Sequence, residues 1–272
     1  MSTELLTSML TSGYAVRDLS RPLQVGMPQS PNHPEFRHVL VRRHGDAHRA
    51  DGGSAANDLI VTGTHVGTHV DALGHVSFAG ELHGGVDAEE AQRGGRFDDH
   101  GIDAFNPFFG RGVLLDVATA LGWDESPAGQ EITVEDLERT VARQGTELRD
   151  GDAVLVRSGW ARNWGDRELY QGQASGVPGP GEAGATWLAD HGAAVVGADT
   201  IAFEHLPAGQ GHSRLPAHRV LLVDRGINII ETLDLEGLAA AGLHEFLFVL
   251  NPLNIVGATG APVRPLAVVP TR

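Results

Sequence analysis

The chain has 272 residues, of which 41% are hydrophobic and 20% charged, and its formal net charge is −15. This length is enough for one large domain or two small ones, and the composition is ordinary for a soluble globular protein. The acidic balance argues against nucleic acids and anionic membrane surfaces as partners, because both attract basic patches. The chain has no cysteine, which excludes disulfides and thiolate chemistry.

The sequence contains no targeting or membrane-spanning pattern. Its N-terminal segment lacks the basic region and apolar core of a secretory signal. No apolar run reaches the ~18 residues that a membrane span needs. We therefore expect a cytoplasmic protein with a small-molecule substrate and with no nucleic-acid or membrane partner.

In the first half of the chain, short apolar runs alternate with loops rich in Gly, Asp and Pro. A short helix is predicted at 3–12. Residues 21–36 contain four prolines, which predicts an extended, irregular segment. It belongs to an N-terminal arm that we place at about 1–35. The predicted strands of this half are 15–19, 36–43, 58–64 and 111–118.

The second half alternates between helical and strand patterns. Thr133 is a typical helix cap followed by acidic residues, and the helix is predicted to run to Gln144 and to end at Gly145. Residues 172–182 form a Gly- and Pro-rich loop, long enough to act as a flap over a site. The other predicted helices are 182–191, 214–224 and 235–241, and the strands are 152–157, 193–199, 227–231, 245–250 and 263–269.

This alternation predicts an α/β fold in which helices cover a sheet. No break in composition and no internal repeat divides the chain, so we interpret residues 1–272 as a single domain. Gly179, Gly181 and Gly184 match the spacing of a GxGxxG dinucleotide motif. Pro180 interrupts the motif and no strand precedes it, so we reject a dinucleotide site.

One segment of eleven residues contains His65, His69, Asp71 and His75. Imidazole and carboxylate groups are the usual ligands of a divalent metal ion. A straight strand would hold His65 and His69 about 13 Å apart, too far to share one ion. Gly67 lies where the chain can bend, because glycine tolerates backbone angles that other residues avoid. We therefore predict a bulged or kinked strand at Gly67 and a metal ion held by His65, His69 and Asp71.

Three other residues have roles that the pattern leaves open. His75 follows Asp71 after a flexible Ala-Leu-Gly segment, and it is a candidate fourth ligand, general base or packed residue; we interpret it as the base. His218 begins an apolar segment in the back half. Glu231 ends an apolar strand, where functional sites often lie. A salt bridge to a nearby arginine is an equally good explanation of Glu231.

The segment 65–75 resembles the HxGTHxDxxxH signature of the cyclase family, metal-dependent hydrolases that include bacterial kynurenine formamidase and isatin hydrolase. The segments RGVLLDV, LVRSGW, VGADT and HRVLLVDRGINIIETLDL agree with this family as well, so the resemblance extends from about residue 15 to the end. It implies a mixed α/β domain of the swivelling β/β/α type, usually assembled as a homodimer or homotetramer.

The resemblance also implies roles for single residues. His65, His69 and Asp71 would bind the metal ion, and His75 would transfer protons. In formamidases with two zinc ions, the counterpart of Asp71 bridges to a second zinc. That zinc is completed by a histidine and a glutamate that match His218 and Glu231, although the segment between them is one residue longer here than we expect. Isatin hydrolases use a single manganese ion, so zinc and manganese, and one ion and two, remain alternatives.

A hydrolytic reaction follows from these roles: a water molecule activated by the metal would attack a small amide, cyclic amide or lactone. We expect the substrate to carry an apolar ring, because several aromatic residues are available to line a pocket. These candidate pocket residues are Phe78, Trp160, Trp164 and Phe203.

Two other functions use the same residues. His69 and Asp71, with a distal His212 or His218, match the facial triad of non-haem iron oxygenases. Such enzymes are expected to be all-β jellyrolls, which conflicts with the α/β second half, and they have no role for His75. The other alternative is a metal- or ligand-binding module without activity, and the presence of His75 speaks against it.

Overall fold

The structure of this protein is a computed structural model that describes residues 7, 11 and 13–271. The helix expected at 3–12 lies outside the described residues except for positions 7 and 11. The main feature of the fold is a nine-stranded mixed sheet with helices packed against it. This arrangement confirms the predicted α/β class.

The strands are, in chain order, β1 (Tyr14–Asp18), β2 (Arg37–Arg42), β3 (Asn57–Val61), β4 (His69–Asp71), β5 (Glu81–Leu82), β6 (Val86–Asp87), β7 (Phe108–Asp116), β8 (Glu131–Ile132), β9 (Ala153–Arg157), β10 (Gly179–Pro180), β11 (Val195–Ala198), β12 (Asn228–Glu231), β13 (Glu245–Leu250), β14 (Gly260–Pro262) and β15 (Leu266–Pro270). The order in the large sheet is β1-β15-β13-β7-β9-β11-β12-β4-β14. Its central strands β7, β9, β11 and β12 are parallel, and the strands on both sides of them are antiparallel.

The helices are α1 (Ala88–Ala91), α2 (Val117–Leu121), α3 (Val134–Gln144), α4 (Arg167–Gln171), α5 (Glu182–Asp190), α6 (Pro216–His218) and α7 (Glu236–Ala240). Short 3-10 helices lie at His83–Gly85, Ile102–Ala104, Trp160–Gly165 and Gly211–Ser213, and a π-helix follows α6 at Arg219–Arg225. The predicted helices and strands of the back half are therefore all present, within a few residues of their expected bounds.

Local capping explains why two boundaries lie where they do. Thr133 and Asp136 form a reciprocal capping box at the start of α3, and Gly145 ends the helix with a positive φ, as predicted. The strand predicted at 111–118 ends earlier, at Asp116. The Asp116 carboxylate accepts a hydrogen bond from the backbone N–H of Thr119 and so begins α2.

Two predictions for loop segments are corrected. The strand predicted at 58–64 ends at Val61, so the chain between it and β4 is not part of a strand. Residues 172–182 are not a flap. Val177 exchanges backbone hydrogen bonds with Leu206, β10 pairs with β8, and residues 177–181 are buried, so packing fixes this segment.

A hydrophobic core packs against each face of the sheet, as the side chains of the central strand β9 show. Val154 and Val156 pack into the cluster on one face, whereas Leu155 packs on the other face with Phe246 and Phe248. A strand buried on both faces carries a continuous apolar run, which is how the sequence reads here. None of the helices in the described part of the chain combines the length and apolarity that a bilayer crossing needs.

Truncating a side chain in this strand should destabilise the whole fold. We expect Leu155→Ala to lower the free energy of unfolding by about 2–5 kcal/mol, because it opens a cavity in a fully buried cluster. Urea unfolding measures the change. The matched control is Leu253→Ala, a leucine that is 58% exposed, for which we expect a change within about 0.5 kcal/mol. Equal losses in the two variants would contradict this account of the core.

Candidate metal centre

A turn ahead of β4 brings His65 back towards Asp71. Gly67 has a φ of +68°, and a Cβ atom there would lie 2.5 Å from the side chain of Leu23. Only glycine fits both conditions without strain. The predicted bend at Gly67 is therefore present, although it lies in a turn before the strand instead of a bulge within it. As a result, His65 Nδ1 lies 2.6 Å from Asp71 Oδ1.

His69 and Asp71 point to the same face of β4, as alternate residues of a strand do. His69 Nε2 lies 3.4 Å from Asp71 Oδ1. His69 Nδ1 donates a hydrogen bond to the carbonyl oxygen of Gly67 at 2.7 Å, which leaves Nε2 facing the carboxylates. The same turn thus orients both histidines.

Strand pairing brings Glu231 into the same cluster from the far end of the chain. β12 runs antiparallel to β4, and Glu231 is the direct partner of His69. Its Oε2 lies 3.4 Å from His69 Nε2. Arg219 and Arg225, the arginines nearest in sequence, form ion pairs with other acidic residues. The explanation of Glu231 as a salt-bridge partner of a nearby arginine is therefore wrong. The partners of Glu231 are histidines.

His218 completes the cluster from the end of α6. Its Nε2 lies 3.1 Å from Glu231 Oε1 and 3.6 Å from Asp71 Oδ2. Its Nδ1 is 2.6 Å from Glu204 Oε1, and Glu204 also accepts hydrogen bonds from the backbone N–H groups of Ala217 and His218. A carboxylate that is hydrogen-bonded to one ring nitrogen orients the other nitrogen towards the site. The hydrogen-bond partners of metal-binding histidines typically have this effect.

The π-helix at Arg219–Arg225 lies between His218 and Glu231. A π-helical turn takes one more residue than an α-helical turn, and such turns are frequent at functional sites. Both His218 and Glu231 keep their orientation towards Asp71.

His75 also belongs to this cluster, because its ring packs against the ring of His65. Their rings are stacked, with centroids 3.8 Å apart and an interplanar angle of 25°. Two sets of three possible ligands result, and Asp71 belongs to both. One set is His65, Asp71 and His75, and the other is His69, Asp71 and Glu231; within each set the ligand atoms lie within 4.8 Å of one another.

The cluster has the properties expected of a divalent cation site. His69 Nε2 and Asp71 Oδ2 are buried and have no hydrogen-bond partner. Unpartnered polar atoms of this kind cost free energy, and a metal ion would satisfy both. Imidazole nitrogens and carboxylate oxygens suit zinc or manganese. The residues therefore fit such an ion.

When only protein groups are considered, the charges of the histidines and carboxylates in the cluster compensate each other. Burial alone would lower the pKa of His69, but the carboxylates of Asp71 and Glu231, each with an oxygen 3.4 Å from Nε2, raise it to about 10. Burial and the charge of Asp71 would raise the pKa of Glu231, but the neighbouring imidazoles of His218 and His69 lower it to about 2. Any cation that binds must displace protons from these imidazoles.

His75 differs from these histidines in its charge. Burial lowers the pKa of His75 to about 3, and the neighbouring carboxylate of Asp71 only partly opposes this effect. The ring is therefore neutral at physiological pH. His33, whose ring stacks on His65 at 5.2 Å, is also neutral because burial lowers its pKa to about 4.

A cavity of about 180 Å³ opens above the cluster. His65, His69, His75, His218 and Glu231 line its floor. The N-terminal arm contributes one wall through residues 28–33, and further lining comes from Ile201, His212, Leu215 and Thr232. The arm thus reaches the site, whereas residues 172–182 do not line the cavity.

The four predicted pocket aromatics lie elsewhere, which corrects that prediction. Trp160 and Phe203 are buried in the core, and Trp160 Nε1 donates a hydrogen bond to the carbonyl oxygen of Tyr170. Trp164 packs between Tyr170 and the guanidinium of Arg21. Phe78 is 55% exposed and carries an arginine over its ring. Large aromatic residues serve packing more often than binding.

Several residues of the site were not found from the sequence. Glu204 orients His218, and Thr259 Oγ1 lies 2.8 Å from His65 Nε2. His33 covers His65, and His212, which we had considered only as an iron ligand, lines the cavity. No local spacing connects these positions with the motif. Only their residue types, one carboxylate, two imidazoles and one hydroxyl, could have marked them as candidates.

The family model "Cyclase: Putative cyclase" matches residues 17–205 of the chain, which is more than half of its length. The chain belongs to the cyclase family. The fold conflicts with the iron-oxygenase alternative, because the large sheet is mixed and covered by helices and does not form a jellyroll.

Individual members of the cyclase family are similar over most of the chain. Cyclase-like protein 3 of Oryza sativa subsp. japonica is 28% identical over 216 residues, which cover 79% of this chain and 66% of the relative, just under two thirds of its length. The isatin hydrolase of Roseibium aggregatum is 26% identical over 226 residues, with 81% and 78% covered. A crystal structure of a novel cyclase has a TM-score of 0.85 and 28% identity, and covers 98% of this chain and 93% of its own.

Removal of a shared carboxylate should lower metal binding. We expect Asp71→Asn and Glu231→Gln each to reduce the metal content of the purified protein at least tenfold, because each removes a buried negative charge from the cluster. Elemental analysis by mass spectrometry measures the metal-to-protein ratio. Asp58→Asn, an exposed carboxylate, serves as the control. Wild-type metal content in both site variants would disprove the assignment.

Metal binding should release protons. The raised pKa of His69 keeps its ring protonated at neutral pH, so the apparent association constant should rise as the pH rises from about 7 towards about 10. One displaced proton gives a slope of about tenfold per pH unit. Calorimetric titration in buffers of different ionisation enthalpy counts the protons. An affinity that does not change over this range would contradict the charge state described here.

Proposed function

We propose that this protein is a metal-dependent hydrolase that cleaves a small amide, a cyclic amide or a lactone. The observation that carries the proposal is the pair of unpartnered buried atoms, His69 Nε2 and Asp71 Oδ2, in a cluster whose residues His65, His69, His218 and Glu231 line a cavity. A site with open positions facing a cavity is typical of catalytic rather than structural metal binding. Membership of the cyclase family and similarity to an isatin hydrolase support the reaction class.

We assign the ion to His65, His69 and Asp71, the predicted ligands; His65 and His69 approach Asp71 in separate sets of possible ligands. His218 and Glu231 lie beside them. A divalent zinc or manganese ion supplies Lewis acidity when bound, since it lowers the pKa of a water molecule towards about 7 and polarises a carbonyl group. Asp71 lies at the centre, where it belongs to both sets of possible ligands. This position supports either one ion or two that share Asp71.

Within this site, His75 is the residue that we assign to proton transfer. Its ring is neutral, lies against His65 and lines the cavity. A neutral imidazole accepts the proton that water loses as its oxygen attacks the acyl carbon. The same ring then donates that proton to the nitrogen or oxygen of the bond that breaks. The products are a carboxylate and an amine or alcohol.

Two further contacts hold the imidazoles in working orientation. Glu204 accepts the Nδ1 proton of His218, and Thr259 bonds to Nε2 of His65. Second partners of this kind typically change metal affinity or activity by about 10–100-fold when they are removed. They restrict the rings before substrate binds, so that little reorganisation is needed during the reaction.

Replacement of His75 should separate chemistry from metal binding. We expect His75→Ala to lower kcat by at least about 100-fold, because the proton acceptor is lost, while the metal content stays near that of the wild type. Formamides, cyclic amides and lactones form the substrate panel, and hydrolysis is followed without oxygen. The control is His44→Ala, an exposed loop histidine.

Two results would count against this mechanism. Full activity of His75→Ala would show that another group transfers the proton. Joint loss of activity and metal would instead make His75 a ligand, in agreement with its place beside His65 and Asp71.

A further inference from the structure

The cavity is small and contains few apolar side chains. Its volume of about 180 Å³ is close to the ~150 Å³ of an engineered protein cavity that holds benzene, so there is room for one ring. Within the described part of the chain, the cavity lining contains no Phe, Tyr or Trp and no Lys or Arg. A flat aromatic bicycle would find no Phe, Tyr or Trp side chain to stack on. An anionic substituent would find no lysine or arginine side chain.

The wall formed by the N-terminal arm is held in place by hydrogen bonds. The side-chain amide of Gln29 donates to the carbonyl oxygen of His33 at 3.0 Å, and the backbone N–H of His33 donates to Ser30 at 3.2 Å. Gln171 donates in turn to the carbonyl oxygen of Gln29. The His33 ring stacks on His65 with an interplanar angle of 28°. This ring limits the size of the cavity.

Another part of the lining offers an unused polar atom. His212 lies in the 3-10 turn Gly211–Ser213, and its Nδ1 is buried without a hydrogen-bond partner. An imidazole nitrogen can donate or accept a hydrogen bond. A buried nitrogen without a partner is costly, and a polar group of the substrate would remove that cost. The apolar side chains of Ile201 and Leu215 also line the cavity.

We propose that the substrate is a single-ring or open-chain amide or lactone with an uncharged hydrogen-bonding substituent, and that His212 Nδ1 binds this substituent. This inference rests on the proposed function and narrows its substrate class. Water adds across the acyl C–N or C–O bond, the proton passes to the leaving atom, and the substituent takes no part in the reaction. His212 therefore determines specificity, and His33 limits the substrate to one ring.

A matched pair of substrates tests the role of the substituent. The probes are γ-butyrolactone and α-hydroxy-γ-butyrolactone, which differ by one hydroxyl group, with isatin as the aromatic bicycle. We expect the metal-loaded enzyme to prefer the hydroxylated lactone over the plain lactone by at least about tenfold in kcat/KM. We expect isatin to be a poorer substrate than either lactone.

Substitutions in the 3-10 turn Gly211–Ser213 then test whether His212 causes the preference for the hydroxylated lactone. We expect His212→Ala to lower kcat/KM for the hydroxylated lactone at least about tenfold more than for the plain lactone, mainly through KM. His212→Gln should restore part of the preference, because an amide also forms hydrogen bonds. Ser213→Ala, an exposed neighbour in the same turn, is the control.

The outcomes separate this inference from the proposed function. Faster hydrolysis of isatin than of both lactones would overturn the inference and leave the hydrolase proposal standing. Equal loss on both lactones in His212→Ala, together with loss of bound metal, would assign His212 a structural role and would also overturn it. If no member of the formamide, cyclic amide and lactone panel is hydrolysed by the metal-loaded protein, both proposals are wrong.

Discussion

The site depends on one interaction, the contact of the buried Asp71 carboxylate with the imidazoles around it. Asp71 is almost fully buried, and a carboxylate in such surroundings is costly unless opposite charges and hydrogen bonds compensate for it. His65 and His69 supply that compensation from the same chain segment. His218 supplies it from the back half, so the two halves of the chain meet at this carboxylate.

The mixed sheet makes this meeting possible. The parallel strands β9, β11 and β12 carry the α/β half, and the antiparallel pairing of β12 with β4 attaches the metal motif to it. Because Glu231 pairs directly with His69, the register of two strands sets the distance between a carboxylate and an imidazole. A shift of one residue would turn Glu231 to the opposite face of the sheet. Sheet stability and site geometry therefore depend on the same backbone hydrogen bonds.

The local part of this architecture could be predicted from the sequence, and the long-range part could not. The helix from Thr133 to Gly145 and the bend at Gly67 follow from caps and glycine conformations, which act over a few residues. The contact of Glu204 with His218 depends on tertiary packing, for which no spacing rule exists. The aromatic pocket was predicted from residue type alone, and packing requirements placed those side chains elsewhere. The cavity lining instead includes a polar, proline-rich arm that showed no chemical pattern.

The central claim is that this cluster holds a divalent ion on which hydrolysis depends. Its most direct test is to remove metal from the purified protein with a chelator and to titrate zinc or manganese back while hydrolysis of the substrate panel is measured. The account predicts that activity is lost with the metal and returns in proportion to the ion bound, with saturation at one or two ions per chain. Hydrolysis that continues after complete removal of the metal would contradict it.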